Sequence, residues 1–403
     1  MRVARKLLAL GMLNGAAWGL VWSVLAPYLR SLGYTGTEYG LMGGTAVFSG
    51  AVMTLVGGGL SDRVGARRVA AVGLLLQSAA LFLISRGTFA TVSAGFFLNG
   101  AANGLAFTSI QALVARSGRD EVLHYTFSYV SAMNTLGGAI GSFAGWAPVL
   151  AGRLLGVPIV EAYRWTIAAS SLLPLISAPL ALAIPEELGP SGERKGLREG
   201  LKYLRGRFAR VAVANVLIGF GAAMSIHNID YYFAAKYGVT SAQLGSIFGL
   251  QQLFMAILMT MMPRLADRAG GPLKVYLAVS YSSIPLLVAM TLTNSFAIAS
   301  ALYLVRSILM NVANPLFNAF VMRLVPREMR GTASALLSLS WTLPAGGGRA
   351  VGGYLLDINL ELPLRLTAVL YTVALTYIAL EFRDQLRSAE VDIEKEAEPC
   401  PPP

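Results

Sequence analysis

Long apolar runs separated by short polar segments recur along the whole chain. Each run is close to the roughly 20 residues that an α-helix needs to cross the hydrocarbon core of a bilayer. The pattern predicts twelve transmembrane helices, near residues 7–30, 39–60, 69–86, 89–114, 125–151, 163–184, 210–234, 241–262, 273–293, 296–321, 331–356 and 363–382.

The composition supports a membrane protein and argues against other classes. Charged residues make up 13% of the 403 residues and hydrophobic residues 55%, whereas a soluble protein carries about 25% charged residues. The net charge of +11 does not indicate nucleic-acid binding, because the basic residues lie in short clusters between apolar runs. One cysteine and two histidines are too few for an intrachain disulfide or a metal cluster. We therefore predict an all-α integral membrane protein with no metal and no cofactor.

The distribution of Lys and Arg predicts the orientation in the membrane. If the N-terminus is cytoplasmic, 24 of the 32 Lys and Arg residues lie in inside segments and six lie in outside loops. Such an excess of positive charge marks the cytoplasmic side. We predict a multi-pass protein of the plasma membrane with both termini in the cytoplasm.

The chain divides into two halves joined by one long loop. Residues 1–184 and 210–382 each hold six predicted helices. In the linker, residues 185–209, apolar residues recur at helical spacing opposite basic ones, which predicts an interfacial helix on the cytoplasmic surface. Residues 383–403 are acidic and end in prolines, so we expect a disordered tail.

A short charged motif occurs once in each half. Residues 58–68 read GGLSDRVGARR, and residues 264–274 read RLADRAGGPLK at an offset of about 205 residues. Asp62 and Arg63 of the first copy correspond to Asp267 and Arg268 of the second. Two six-helix halves in parallel topology are the internal symmetry of one transporter architecture, in which the substrate site lies between the halves.

These features resemble the major facilitator superfamily, over residues 7–382. Residues 58–68 are similar to that family's G-x-L-x-D-R-x-G-R-[RK] loop, and residues 326–331 resemble the loop before its eleventh helix. The resemblance implies two pseudo-symmetric six-helix bundles, alternating access and a loop that closes the cytoplasmic side. An aspartate there can face the positive N-terminal end of a neighbouring helix; the alternative is a solvated loop that only sets topology. The gating-loop candidates are Gly58, Asp62, Arg63, Gly65, Arg67, Asp267 and Arg268.

Apart from Glu381 in the last turn of the twelfth span, Asp230 is the one carboxylate that the pattern places within a predicted span. His227 lies three residues earlier, on the same face of a continuous α-helix, and a carboxylate–imidazole pair in a partly dry cavity can titrate near neutral pH. We therefore predict proton coupling through Asp230 and His227. The alternative is that Asp230 lies at the outer boundary, wetted by solvent. The neighbouring Asn228 and Tyr231 resemble residues near the substrate in the seventh helix of sugar porters.

Polar residues within other spans are candidates for a substrate cavity. Arg306 lies deep in the tenth span, and a guanidinium there must pair or face water. We expect it to face the central cavity, with the substrate or Asp230 as its partner. The asparagines that follow at helical spacing line that cavity or only form hydrogen bonds between helices. The full candidate set is Asn14, Trp18, Asn103, Asn134, Asn228, Tyr231, Gln251, Arg306, Asn311 and Asn314.

Glycines in the fifth span suggest a transport direction. Gly137, Gly141 and Gly145 partly match a pattern associated with efflux antiporters, although their spacing also serves close helix packing alone. Arg349 lies in a second glycine-rich run of the eleventh span, and a cytoplasmic or interdomain contact is one interpretation of it.

The sequence contains no Walker loop or catalytic triad, which argues against an ATP-driven pump or an enzyme. We predict a monomeric secondary active transporter that exports a small amphipathic molecule in exchange for protons, with membrane lipid around it. Proton-coupled uptake of a sugar or another polar metabolite is the alternative. A membrane receptor that does not transport is the interpretation from a different class.

Overall fold

The computed structural model describes residues 2–116, 123–185, 207–259, 272–312, 314–323, 325, 330–384 and 386. Their regular structure is helical, and no strand occurs in these ranges. The α-helices are α1 (Arg2–Ser31), α2 (Gly36–Val64), α3 (Ala66–Ser85), α4 (Phe89–Arg116), α5 (Leu123–Phe143), α6 (Ala147–Leu155), α7 (Ile159–Ser170), α8 (Leu172–Leu182), α9 (Arg207–Ser225), α10 (Ile229–Tyr237), α11 (Ser241–Met259), α12 (Pro272–Leu292), α13 (Phe296–Val312), α14 (Asn314–Arg323), α15 (Arg330–Ile358) and α16 (Leu362–Glu381).

Each of the twelve predicted spans coincides with one of these helices or with two in series. Eight helices of the described residues are long and apolar enough to cross a membrane. The prediction of an all-α membrane protein is confirmed. The predicted linker helix, the end of the tail, Asp267 and Arg268 lie outside the described residues.

Local sequence explains where α2 begins and ends. Thr35 forms a capping box with Glu38, in which the Thr35 hydroxyl accepts from the Glu38 N–H and the Glu38 carboxylate accepts from the Thr35 N–H. At the other end Gly65 has φ of 102°, a conformation that favours glycine. The chain therefore turns at Gly65 and starts α3 at the next residue.

Two of the predicted spans are interrupted by 3₁₀ segments. Ala144–Trp146 separates α5 from α6, and Ile226–Asn228 separates α9 from α10. A break at membrane depth leaves backbone groups that must find new partners. The Asn228 side chain supplies one of them, because its Nδ2 donates to the Met224 carbonyl at 3.4 Å. The second break places a new helix N-terminus directly before Asp230.

The chain forms two compact units. The first comprises Met1–Arg194, Ala223–Ala256 and Ala345–Pro363, and the second comprises Lys195–Ala222, Ile257–Pro344 and Leu364–Pro403. The first unit thus combines the N-terminal half with α10 and with parts of α11 and α15 from the C-terminal half. The predicted six-helix halves concern the internal repeat and stay a prediction, while these units describe how the chain packs.

Each unit has a core of its own. In the first, small residues such as Ala66, Ala70 and Ala181 let α1, α3, α4 and α8 pack around Leu10 and Leu74. In the second, larger side chains from α9, α12, α14 and α16 pack together, and the rings of Tyr276 and Phe317 stack at 4.4 Å.

Glycine governs a close helix approach in the first unit. A Cβ on Gly141 of α5 would lie 2.0 Å from the Ala16 carbonyl of α1, and one on Gly137 would lie 2.0 Å from the Met12 carbonyl. No side chain larger than hydrogen fits at these distances. The glycines of α5 therefore have a packing role.

Candidate functional site

Asp230 lies in the first turn of α10, directly after the helix break, and only 2% of its surface is exposed. The N–H of Tyr231 donates to its Oδ1 at 2.8 Å. A carboxylate at a helix N-terminus is stabilised by the partial positive charge of the unpaired N–H groups there. The break in the seventh predicted span therefore provides a local setting for a buried negative charge.

Tyr39 of α2 is the second partner of this carboxylate. Its hydroxyl donates a short hydrogen bond to Asp230 Oδ2, and its side chain is 1% exposed. The Tyr39 ring stacks on Tyr231 at 5.3 Å and meets Phe96 edge-on at 6.1 Å. These aromatic contacts fix the position of the phenol. The Tyr39–Asp230 bond thus joins the N-terminal half of the sequence to the C-terminal half within one compact unit.

Arg349 of α15 supplies the positive charge of the site. Its guanidinium carbon lies 5.4 Å from the centre of the Tyr39 ring, and its charge acts on the Asp230 carboxylate. Arg349 Nε donates to Asn228 Oδ1 at 3.3 Å, while Asn228 Nδ2 donates to the Arg349 carbonyl at 3.0 Å. The fully buried Asn228 thereby holds α15 against the helix break through both atoms of its amide.

Glycines let α2 and α15 approach closely enough for these contacts. A Cβ on Gly43 would lie 2.1 Å from Arg349 Nε, and one on Gly40 would lie 2.6 Å from the Arg349 carbonyl. Further along, a Cβ on Gly353 would lie 2.3 Å from the Gly36 carbonyl. We call this contact of α2 with α15, from Gly36 to Gly43 and from Arg349 to Gly353, the glycine seam. Small residues at such spacing allow membrane helices to pack at backbone distance.

The arrangement can bind and release a proton. A charged residue inside a membrane is costly, and such residues pair with one another and mark ion or proton pathways. The positive charge of Arg349 favours the ionised form of Asp230, whereas burial favours the protonated form. No group of three or more His, Cys, Asp or Glu that could hold a metal occurs among the described residues.

The structure brings together three of the predicted site residues, namely Asp230, Asn228 and Tyr231. His227 lies in the 3₁₀ segment rather than in an α-helix, so the helical spacing that predicted a shared face with Asp230 does not apply. The hydroxyl of Tyr231 donates to the Tyr34 carbonyl at 3.1 Å, and the Tyr231 ring stacks on Tyr39.

The remaining cavity candidates make contacts elsewhere. Asn134 donates to the Gly11 carbonyl across α5 and α1 at 3.3 Å, and Asn311 donates to the Ser307 carbonyl of its own helix at 2.8 Å. Gln251 Nε2 contacts Met255 sulfur at 3.8 Å, and Trp18 lies 6.0 Å from Trp22. Asn14 and Asn103 are half-buried, and Asn314 is exposed.

Arg306 is buried within its own compact unit, with 2% of its surface exposed. Its Nη2 donates to the Tyr371 hydroxyl at 3.3 Å, and the guanidinium lies over the Tyr371 ring. We expected a carboxylate or the substrate as its partner, whereas the observed partner is a phenol of the same unit. Arg306 Nε is buried without a hydrogen-bond partner among the described residues. Its access to a central cavity stays a prediction.

The gating-loop candidates from the first copy of the charged motif lie around the end of α2. Asp62 and Arg67 are half-buried, Gly58 is half-buried, and Arg63 is exposed. Gly65 forms the turn described above, and its N–H donates to the Ser61 carbonyl at 3.1 Å. The role of this loop in gating stays a prediction.

Sequence reasoning did not place Tyr39 in the site, and it considered Arg349 without giving it a partner. The signal for both was present, since α2 and α15 each carry glycines at helical spacing. They are Gly36, Gly40 and Gly43 in α2 and Gly346 and Gly353 in α15. Two glycine-lined helices suggest a close helix pair. The sequence does not reveal that these two pack together and bring their polar side chains to Asp230.

Comparison with known proteins identifies the family. The model of the Major Facilitator Superfamily matches residues 7–349 and 211–401. The chain is 22% identical to the quinolone resistance protein NorA of Staphylococcus aureus over 382 residues, 92% of this chain and 94% of that protein. It is also 22% identical to multidrug resistance protein 1 of Bacillus subtilis, over 89% of this chain and 90% of that protein.

Solved structures share the fold at low identity. The nucleoside transporter NupG has a TM-score of 0.73 at 16% identity, covering 95% of this chain and 99% of that one. A bacterial homologue of the human lysosomal transporter Spinster, in an inward-facing and unoccupied conformation, has a TM-score of 0.76 at 14% identity, covering 96% and 97%. With two glycine-lined helices, a charged loop after α2 and a family model that spans nearly all of its residues, the chain belongs to the Major Facilitator Superfamily.

Proposed function

We propose that the protein is a proton-coupled antiporter that exports amphipathic compounds across the plasma membrane, with both termini in the cytoplasm. The observation that carries the proposal is the buried carboxylate of Asp230, which accepts hydrogen bonds from the Tyr39 hydroxyl and the Tyr231 N–H. The chain is a transporter of its family, and a carboxylate buried among membrane helices is a common proton carrier. Export is favoured by two relatives named for drug resistance that match about nine tenths of the chain.

Competition for Asp230 explains how antiport is coupled. Ionised Asp230 accepts the hydrogen bond of Tyr39 and attracts Arg349, which keeps α10 bound to α2 and α15. A proton, or a cationic group of a substrate, neutralises this carboxylate and weakens both contacts. Because the proton and the substrate use the same negative charge, one leaves before the other binds. His227, which directly precedes Asn228 in the helix break, is the second proton-coupling candidate.

The predicted cavity and gating residues belong to the same proposal. The substrate path is lined by polar and aromatic residues of both halves, and the Asp62 loop closes the cytoplasmic end. Tryptophan and amide side chains within predicted spans support the path, because such side chains are suited to contact the apolar rings and the polar groups of one amphipathic molecule. The residues are Asn14, Trp18, Asn103 and Asn134 of the N-terminal half, and Gln251, Arg306, Asn311 and Asn314 of the C-terminal half.

Everted membrane vesicles test the proposal with ethidium as a lipophilic cationic probe. We expect ethidium accumulation when the vesicle interior is acidic, and its loss when a protonophore collapses the pH gradient. Asp230→Asn should abolish this accumulation and should also slow ethidium exchange at equal concentrations on both sides, because the proton and the cationic probe share this carboxylate. Glu161→Gln is the matched control, because Glu161 is a partly exposed carboxylate paired with Arg164 at the start of α7.

Three outcomes would contradict the proposal. Gradient-driven accumulation by Asp230→Asn would place the proton carrier elsewhere. Accumulation of a labelled sugar or nucleoside, with no response to ethidium, would favour uptake of a polar metabolite. Purified protein in proteoliposomes that moves none of these probes would favour a receptor.

A further inference from the structure

Asp357 in the last turn of α15 binds the first turn of α2. Its Oδ1 accepts from the Gly36 N–H at 2.7 Å. Its Oδ2 accepts from the Thr37 N–H at 2.7 Å and from the Thr37 hydroxyl at 2.6 Å. One carboxylate thus closes three charge-assisted hydrogen bonds between segments that are 320 residues apart in the sequence.

The α2 helix does not depend on Asp357 for its own cap. Thr35 and Glu38 already form a complete capping box at this end. The Gly36 and Thr37 N–H groups are among those that a helix N-terminus leaves without intrahelical partners, and an anion there is favourable. Asp357 is exposed, so water can take its place when the two helices part. A contact of this kind joins two elements reversibly.

The glycine seam fixes this contact relative to the buried charges. Arg349, Gly353 and Asp357 follow at intervals of four residues and share one face of α15. A Cβ on Gly36 would lie 2.8 Å from both Asp357 Oδ1 and the Gly353 carbonyl, so only glycine fits at position 36 without a shift of α15. Because one helix face carries both Arg349 and Asp357, separation of α15 from α2 at the end also withdraws Arg349 from Tyr39 and Asp230.

We propose that Asp357 is a latch that holds the outer end of the transporter closed by capping α2. The loops at residues 32–35 and 359–361 adjoin this contact and are predicted to face outside. Release of Asp357 lets α2 and α15 separate from that end, and exposes the Tyr39–Asp230–Arg349 cluster to the outside. The inference goes beyond the proposed function, because the latch acts whichever solute or ion the protein carries.

Cysteine labelling tests the latch independently of transport. Cys400 is the only cysteine, so Cys400→Ser gives a cysteine-free parent. Leu356→Cys then places a reporter on α15 in the closed seam, where the Leu356 Cβ lies 3.2 Å from a Cβ built on Gly36 and the side chain is 3% exposed. A membrane-impermeant maleimide added from outside to intact cells measures how often this seam opens.

We expect Asp357→Ala to raise the labelling rate about tenfold, which corresponds to about 1.4 kcal/mol in the closed-to-open equilibrium. Glu38→Gln is the matched control, since it removes a carboxylate from the same first turn of α2 but leaves Asp357 in place. It should change the rate less than about twofold. Asp357→Asn, which keeps the shape and one acceptor, should lie between the two.

Two results would overturn the latch. In the first, Asp357→Ala labels at the parental rate while the protein elutes normally in size-exclusion chromatography. In the second, Glu38→Gln raises the rate as much as Asp357→Ala, which would mean that general fraying of α2 exposes the reporter. Neither result bears on proton coupling, which the vesicle experiment with Asp230→Asn decides.

Discussion

The hydroxyl of Tyr39 donates a hydrogen bond to the carboxylate of Asp230, 191 residues later in the chain. This single contact links α2 to the helix that restarts after the break in the seventh span. The Arg349 guanidinium, the Asn228 amide and the glycine seam lie around this contact. Substitutions at these residues therefore test the proposed site.

Replacement of Tyr39 by Phe keeps the ring contacts with Phe96 and Tyr231 and removes only the hydroxyl. The ionised Asp230 then loses a charge-assisted hydrogen bond, an interaction that contributes about 1.5–3 kcal/mol. We expect gradient-driven transport to need a higher pH to reach half of its maximum. A pH series of vesicle transport measures this shift. Tyr28→Phe is the control, since Tyr28 donates to a backbone carbonyl instead of a carboxylate, and an equal shift in that variant would contradict the assignment.

Removal of the Arg349 charge should destabilise the protein through Asp230. The charge of the half-buried Arg349 stabilises the ionised form of the buried Asp230 carboxylate, so its loss leaves that carboxylate less compensated. We expect Arg349→Met to lower the melting temperature in detergent, and the double variant Asp230→Asn/Arg349→Met to recover part of the loss. Arg153→Gln, at an exposed position of α6, should leave the melting temperature unchanged. Additive effects of the two single changes would rule out coupling between them.

A methyl group added within the glycine seam should disturb the site by displacing Arg349. Gly43→Ala would place Cβ 2.1 Å from Arg349 Nε, which forces the guanidinium to move. We expect at least about a tenfold loss of transport, equivalent to about 1.4 kcal/mol. Gly59→Ala is the control on the same helix, because nothing lies within 4 Å of a Cβ there, and a helical alanine is more favourable than glycine by about 1 kcal/mol. Normal transport by Gly43→Ala would show that Arg349 has no fixed role.

Neutralisation of Asp62 tests the gating loop. If its carboxylate latches the cytoplasmic end, Asp62→Asn should slow turnover and favour inward-facing states, with substrate affinity and folding largely intact. Transport rates and equilibrium binding of ethidium, measured on the same preparation, separate the two effects. Asp384→Asn, an exposed carboxylate after α16, serves as the control. Wild-type turnover in the Asp62 variant would leave the loop with a topological role only.

The predicted helices agree with the structure because a bilayer imposes length and hydrophobicity on every span, and both are read directly from the chain. Asp230 was found for the same reason, since a carboxylate inside an apolar run is conspicuous. Arg306 was conspicuous too, but its partner was not predictable: a guanidinium is satisfied by a phenol such as Tyr371 as well as by a carboxylate. The 3₁₀ break at His227 was missed because no proline or glycine in the sequence of that segment marks it.

The sequence by itself determined the membrane-spanning class, the approximate bounds of the described helices, the family and the acid within the seventh span. These properties depend on local composition and on residues that are close in the chain. Only the tertiary structure decided that α2 and α15 are neighbours, that Tyr39 donates to Asp230 below the Arg349 guanidinium, and that Asp357 caps α2. Helices packed in lipid gain no hydrophobic energy from choosing one apolar partner over another. Their pairing depends on backbone fit at glycines and on a few polar contacts, and these exist only once the helices are in place.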